Sequence, residues 1–531
     1  MIACMARTLA STLTGLAATQ LAELIARGEV SSAEVVRAHI ARIEEVNPTI
    51  NAVVVRRFDL ALREANAADA RRARGEPMPP LHGVPITIKE CLDLVGTPST
   101  FGMPSRRDDA PQANDPYVRR LIECGAIVLG KTNVPQALIY NESSNALYGR
   151  TNNPWDVTRT PGGSSGGEGA IIAAGGSPLG LGTDIGGSLR LPAHFCGIVS
   201  LKPTPPRTHD YSRFSELAFE FGPITSVVGP MARDVADLAL ALRLIGALPH
   251  PRLPSPQPLG DPDAVDVSKL RVGFFTCDGL MRPSPAVARA VREAAATLRA
   301  AGAQVTEWEP PDLRQAEALY VRMLTANGAP VFRAALAHDK PEPQLALLYW
   351  LAQRSPQTVR RIRRMLAALR QANFARQLDN IGFSAEDIPR LANEAEAYRC
   401  AFAAALDRAD GGPLDLVLSP PCFSPAWPHG ASRELITGGA YCIVYNLIGY
   451  PAGVVPVTRV RPDEALARPR SPDVVSMAAR RVDLGSTGLP VGVQVAARPW
   501  QEHVALAAMK VIQDEARKRE DYPDTPAMIK V

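Results

Sequence analysis

The segment GGSSGGEGAIIAAGGSPLGLGTDIGGSLR, Gly162 to Arg190, constrains this chain more than any other part of it. Glycine gives up more conformational freedom on folding than other residues, so a cluster this dense needs a compensating use. Three turns of small residues follow one another closely, and each carries a serine. Turns of this kind free backbone amides to cradle a phosphate or a developing oxyanion. The two uses demand different neighbours.

A phosphate loop requires GxxxxGK[ST], or GxGxxG between a strand and a helix. None of the three turns carries the lysine, and GTDIGGS runs into LRLPA, where Pro192 is expected to interrupt any helix early. Gly162 to Gly166 does match GxSxG, the nucleophile elbow, which needs an apolar strand directly before it. The preceding NNPWDVTRTP is polar and flanked by proline. A third reading joins Ser188, Ser164 and a lysine. Serine becomes a useful nucleophile when a base takes its proton, and lysine serves once burial disfavours its ammonium form. Lys89 ends the apolar run GVPITIK, which can deliver it into a site with little water. The backbone around Ile185, Gly186 and Gly187 can then aim N–H groups at a tetrahedral intermediate.

The surrounding chain alternates helical and strand patterns, as an α/β architecture with a covered sheet requires. ATQLAELIARGEVSSAEVVRAHIARIEEVN predicts two amphipathic helices broken at Gly28, with Ser31 or Ser32 capping the second. GVPITIKE and AIVLGKTN predict strands, the latter after the helical DPYVRRLIECG. PHPRLPSPQPLGDPD, Pro249 to Asp263, is the strongest linker signal. Beyond it, LRVGFF restarts the rhythm as a strand and PAVARAVREAAATLRAAGAQV as a helix. LDLVLSPP, GYPAGVVPV and GLPVGVQVAAR supply later strands. Length alone allows roughly three domains. The absence of any repeat and the unbroken rhythm favour one large domain over residues 1–531, with insertions.

Composition removes several partner classes. With 58 basic and 54 acidic residues the charge is balanced, which gives no basis for nucleic-acid binding. Eight cysteines are scattered without a CxxC, so buried reduced thiols and a cytoplasmic location are expected. No HExxH or related spacing calls for a metal, and no motif calls for a cofactor. No stretch approaches the roughly 20 apolar residues of a membrane-spanning helix.

Taken together, GVPITIKE, KTNVPQ, GRTNNPWD, PGGSSGGEGA, GLGTDIGGSLRLPA and GIVSLKPT resemble the amidase signature family. YNLIGYPAGVVPV and GLPVGVQVAARPWQE extend the likeness over roughly residues 20 to 515, with wording similar to the fatty acid amide hydrolase branch. The resemblance implies a central mixed, twisted sheet with helices on both faces. It also implies that Ser188 is the acyl-enzyme nucleophile, that Ser164 sits on a cis peptide, and that Lys89 acts as base through Ser164. Backbone amides of Ile185, Gly186, Gly187 and Ser188 would form the oxyanion hole, and Leu138 would line the acyl site. From the residues themselves, Ser165 and Thr183 read as hydrogen-bonding supports, and Asp184 and Arg190 as charges bracing the loop. Cys91 and Cys196 read as packing residues, and His194 as a satisfied polar group.

The expected activity is hydrolysis of hydrophobic acyl or aryl amides. The same chemistry also fits carbamates and esters. Within the family a small-amide amidase or a tRNA-linked amidotransferase subunit are alternatives. A binding protein on a dead amidase fold would be expected to lose a reactive group, and Lys89, Ser164 and Ser188 are all present. Leu345 to Gln371 mixes leucines, Tyr349 and Trp350 with six arginines. Within a cap at 341–380 it reads as an Arg-rich helix over the site, a homodimer surface or a peripheral membrane contact.

Overall fold

The computed structural model describes residues 12–209, 224–246, 248, 256–381, 383–466 and 468–529. Cys4 and the first half of the Pro249–Asp263 linker lie outside them; the rest of that linker runs into a short 3-10 turn at Pro262–Ala264.

Among the described residues thirteen strands form in chain order: β1 Val53–Arg56, β2 Pro85–Lys89, β3 Ile127–Thr132, β4 Ser144–Asn145, β5 Gly149–Arg150, β6 Leu179–Asp184, β7 Val199–Lys202, β8 Val227–Ala232, β9 Arg271–Phe274, β10 Gln304–Glu307, β11 Leu416–Ser419, β12 Ala452–Arg459 and β13 Pro490–Ala497. Eleven make one sheet in the order β1-β3-β2-β6-β8-β7-β12-β13-β11-β9-β10, and β4 and β5 pair separately. The sheet is mixed. Strand β2 runs parallel to β3 and β6, and β9 parallel to β10 and β11, with antiparallel pairing between these groups.

Both faces of the sheet are covered, as period-2 alternation shows in β3: Ile127 and Leu129 join one buried cluster and Val128 the other. The same alternation sends Ile86 and Ile88 of β2 into one core. Thr87 and Lys89 therefore face the opposite side, and Lys89 ends the strand. Its parallel neighbour β6 ends at Asp184, with Ile88 opposite Leu181. In open α/β sheets, ligand sites form beyond the carboxyl ends of parallel strands.

Local signals shape the helices as the sequence suggests, with exceptions. Gly28 ends the Ala18–Arg27 helix at φ 73, and Ser31 caps Ser32–Ile50 in a capping box with Glu34. Pro192 does not stop a helix. It is the third residue of Arg190–Cys196, in the first turn, where its missing N–H costs no intrahelical bond. The helix read through Val305 ends at Ala300, and Gln304 onward is strand β10. The Arg-rich segment is not one helix but two, Pro343–Ala352 and Pro356–Ala368, with Ser355 capping the second and Pro356 opening it. Leu347, Trp350, Met365 and Leu369 of this region are exposed. Of the described cysteines, Cys277 and Cys400 are exposed, against the expectation of buried thiols; the other five are buried. Among the described residues no helix is long and apolar enough to cross a membrane.

Candidate active site

The glycine-rich segment lies at the ends of β2 and β6. Its first part leads into the Gly166–Ala173 helix, whose residues are all buried. Small residues let that helix press against β3: a β-carbon on Gly167 would lie 2.4 Å from the Asn133 amide nitrogen. Much of the glycine density therefore serves close packing. Its last part turns from β6 into the Arg190–Cys196 helix through Gly187, at φ 113, a conformation side-chain-bearing residues avoid. Ser188 follows directly.

Three lysines are buried among the described residues: Lys89, Lys131 and Lys202. Lys131 donates to Pro98 O and Ser99 Oγ, and Lys202 to Pro203 O. Lys89 Nζ donates to Ser164 Oγ and to Thr183 Oγ1, each at 2.7 Å. The Gly163–Ser164 peptide bond is cis. Ser164, Thr183, Ile185, Gly186 and Ser188 line one cavity of about 720 Å³, and Leu138 lines it too. Ser165 stands behind this row. Its amide donates to Ser188 O at 3.2 Å and its hydroxyl to Thr183 O at 3.3 Å.

Asp184 and Arg190 form an ion pair at 3.0 Å with both side chains fully buried. Arg190 also donates to Cys442 O, Gln494 Oε1 and Asn446 Oδ1, so its planar fork is fully used. Burial would raise the Asp184 carboxyl, but the Arg190 guanidinium and Asn446 hold it well below the usual carboxylate range. That carboxylate accepts the amides of Gly187 at 2.8 Å and Leu189 at 3.1 Å. Of the four amides expected to face an oxyanion, Gly187's is thus engaged with Asp184, and Gly187 is absent from the cavity wall.

Two residues not singled out by sequence reasoning lie beside this machinery. Glu168 is fully buried under β2 and β3, accepting Thr87 Oγ1 at 2.7 Å and Thr132 Oγ1 at 2.9 Å. Burial pushes its carboxyl up to about 8, against the hydroxyl bonds and the Lys89 charge. The signal was present as a lone acid in an otherwise small and apolar helix. Tyr320, from the Leu313–Thr325 helix, lies over the loop: its hydroxyl donates to Ile185 O at 2.9 Å. A β-carbon on Gly186 would sit 2.5 Å from that hydroxyl oxygen. Among the described residues no histidine lines the cavity. His194 accepts the Gly492 amide at Nδ1, which leaves Nε2–H to donate to Ser424 O, and burial lowers it to about 4.

The amidase family profile matches residues 34–506. Fatty-acid amide hydrolase 1 of Sus scrofa is 36% identical over 510 residues, covering 93% of this chain and 84% of the relative. Indoleacetamide hydrolase of Bradyrhizobium diazoefficiens is 33% identical over 503 residues, covering 94% and 86%. A solved fatty acid amide hydrolase structure superposes with a TM-score of 0.80 at 27% identity, over 96% of this chain and 86% of that one. With the profile spanning most of its length and relatives above 30% identity, this chain belongs to the amidase family, the amidase-signature amide hydrolases.

Proposed function

We propose that this enzyme cleaves amides of hydrophobic acyl or aryl groups through Ser188, Ser164 and Lys89 and an acyl-enzyme intermediate. The observation that carries the reading is the 2.7 Å contact of Lys89 Nζ with Ser164 Oγ, beside the cavity that Ser188 also lines. As a neutral amine, Lys89 keeps N–H groups for Thr183 and offers its lone pair to the Ser164 hydroxyl proton. Ser164 in turn takes the proton of Ser188. The Ser188 oxygen attacks the carbonyl carbon, and the π electron pair moves to the carbonyl oxygen.

The amides of Ile185, Gly186 and Ser188 oppose that charge, while the Gly187 amide holds the loop through Asp184. The Lys89 ammonium returns the proton by way of Ser164 to the leaving nitrogen. The C–N bond breaks, the amine departs, and the acyl group stays on Ser188. Water then repeats the proton path in reverse roles and releases the acid.

Apolar walls support a hydrophobic substrate: Leu138, Leu324, Phe332, Leu351 and Val359 all line the cavity. The likeness to a fatty-acid amide hydrolase and an indoleacetamide hydrolase supports acyl or aryl amides. The exposed Leu347, Trp350, Met365 and Leu369 beside arginines fit peripheral contact with a lipid surface, where such substrates gather. The reading is tested by treating the protein with a fluorophosphonate and mapping the adduct by mass spectrometry. The adduct is expected on Ser188. An adduct on Ser164 or Ser165 instead would overturn the assignment.

A further inference from the structure

We propose that the outer end of the catalytic cavity binds an anion. The preferred substrate is then an amide whose hydrophobic acyl part ends in a carboxylate remote from the scissile carbonyl. This rests on the amidase reading above and names its substrate class. Among the described residues lining the cavity, the charged ones are Arg333 and Arg354; no Asp, Glu, Lys or His lines it. Its charge is therefore of one sign, and it sits in the outer helical wall. Arg333 belongs to the Pro330–Ala335 helix, and Arg354 follows the Pro343–Ala352 helix.

Neutral groups hold both arginines. Arg333 Nε donates to Gly328 O at 2.8 Å and Nη2 to Asn327 O at 3.5 Å. The Arg354 guanidinium stacks over the Trp350 ring at 4.5 Å from its centroid. Neither has a carboxylate partner among the described residues, whereas Arg363 in the same region pairs with Asp379. Gly328 brings the two together: a β-carbon there would lie 2.8 Å from Ala352 O and 3.7 Å from both Nε and Nη2 of Arg333. The head of Arg333 and the last carbonyl of the helix that precedes Arg354 thus both border Gly328. Both side chains are exposed in the free enzyme. A neutral chain filling the cavity would strip water from two guanidiniums and return no partner, whereas a carboxylate replaces that water with charge-assisted bonds.

The experiment compares two series of p-nitroanilides, methyl-ended and ω-carboxylate acyl groups of matched length from six to fourteen carbons. The quantity read is the ratio of kcat/KM, carboxylate over methyl, at each length. For the unmodified enzyme the ratio should reach about tenfold or more at the length that spans the cavity, and fall as salt rises. In the Arg333→Gln, Arg354→Gln double variant it should drop roughly tenfold, with partial recovery when both are lysine. A ratio at or below one at every length would overturn the anion site and leave the amidase reading standing; so would an elevated ratio that survives in the double variant. Failure of both series to show turnover that Ser188→Ala abolishes would overturn both. The ratio in the unmodified enzyme needs no variant to fold.

Discussion

The Tyr320 hydroxyl donates to the carbonyl of Ile185 at 2.9 Å, which fixes the peptide plane whose N–H belongs to Gly186. A residue in the outer helical wall thereby sets the direction of an amide proposed to face the oxyanion. Tyr320→Phe keeps the ring and removes the bond. We expect kcat to fall about tenfold, the scale of one hydrogen bond, with KM little changed. An unchanged kcat, or a loss confined to KM, would assign Tyr320 to substrate packing instead.

Lys89 should be indispensable. Lys89→Ala in a correctly folded protein is expected to lose several orders of magnitude in turnover, at about 1.4 kcal/mol of barrier per tenfold. In the unmodified enzyme the rate should rise toward alkaline pH as the amine sheds its proton, and the residual activity of the variant should lose that rise. The two profiles can be measured on a single anilide. Near-normal turnover in the variant would sink the base assignment.

Glu168 gives stability a pH dependence of defined sign. Its carboxyl is raised by burial from 4.5 to about 8. Between those values the unfolded chain has released this proton and the folded chain has kept it, so stability falls as pH rises, by up to about 1.4 kcal/mol per unit. Below 4.5 the two states hold the proton alike, and above about 8 the gap stops widening. Glu168→Gln, which exchanges no proton, should gain on the unmodified protein across that window. Urea midpoints of both proteins at several pH values check this; parallel curves would refute it.

Removing the Asp184 carboxylate strands a fully buried guanidinium. Asp184→Ala is expected to cost about 3–5 kcal/mol, the range for breaking one side of a buried pair. It also frees the Gly187 and Leu189 amides from their acceptor. Fluorophosphonate labelling of Ser188 should therefore slow even in the fraction that remains folded. A stability loss with unaltered labelling would mean the pair supports the fold and not the loop.

The apolar wall predicts chain-length selection. Across anilides from acetyl to dodecanoyl, kcat/KM should climb several-fold per carbon until the cavity is full, since each buried methylene contributes up to about 0.8 kcal/mol. A flat series would indicate a short polar site. Matching carbamates measured alongside decide the bond type, and faster carbamate turnover would make the enzyme a urethane hydrolase.

Much of this site was legible because its chemistry is written in short local runs. Lys89 ends an alternating strand, and Ser164 and Ser188 sit in glycine-rich turns whose composition had to have a use. Asp184 and Arg190 are six residues apart, near enough to read as a brace. The rest depends on tertiary approach. Tyr320 meets Ile185 across 135 residues, and Asn446 meets Arg190 across 256. No local pattern marks either. Glu168 was visible as an odd charge, yet its threonine partners come from two strands distant in sequence. The error at Pro192 has a local cause: position within the helix, and not the presence of proline, decides whether an N–H is missed. The Ser355–Pro356 break was also readable, as a cap followed by a first-turn proline, and was passed over in favour of the arginine pattern.

The buried Asp184–Arg190 pair has a consequence for how this enzyme can change over time. It locks the turn that carries Ser188 to Cys442 and Asn446 on the buried Ala440–Leu447 helix and to Gln494 on β13, where almost any replacement strands a charge or a donor. The far wall of the cavity is drawn from 324–384, in short helices with many exposed positions. Reactivity and appetite are therefore inherited through different stretches of polypeptide. One is nearly frozen, and the other is free to drift toward new acyl groups without disturbing the serine proposed to cut them.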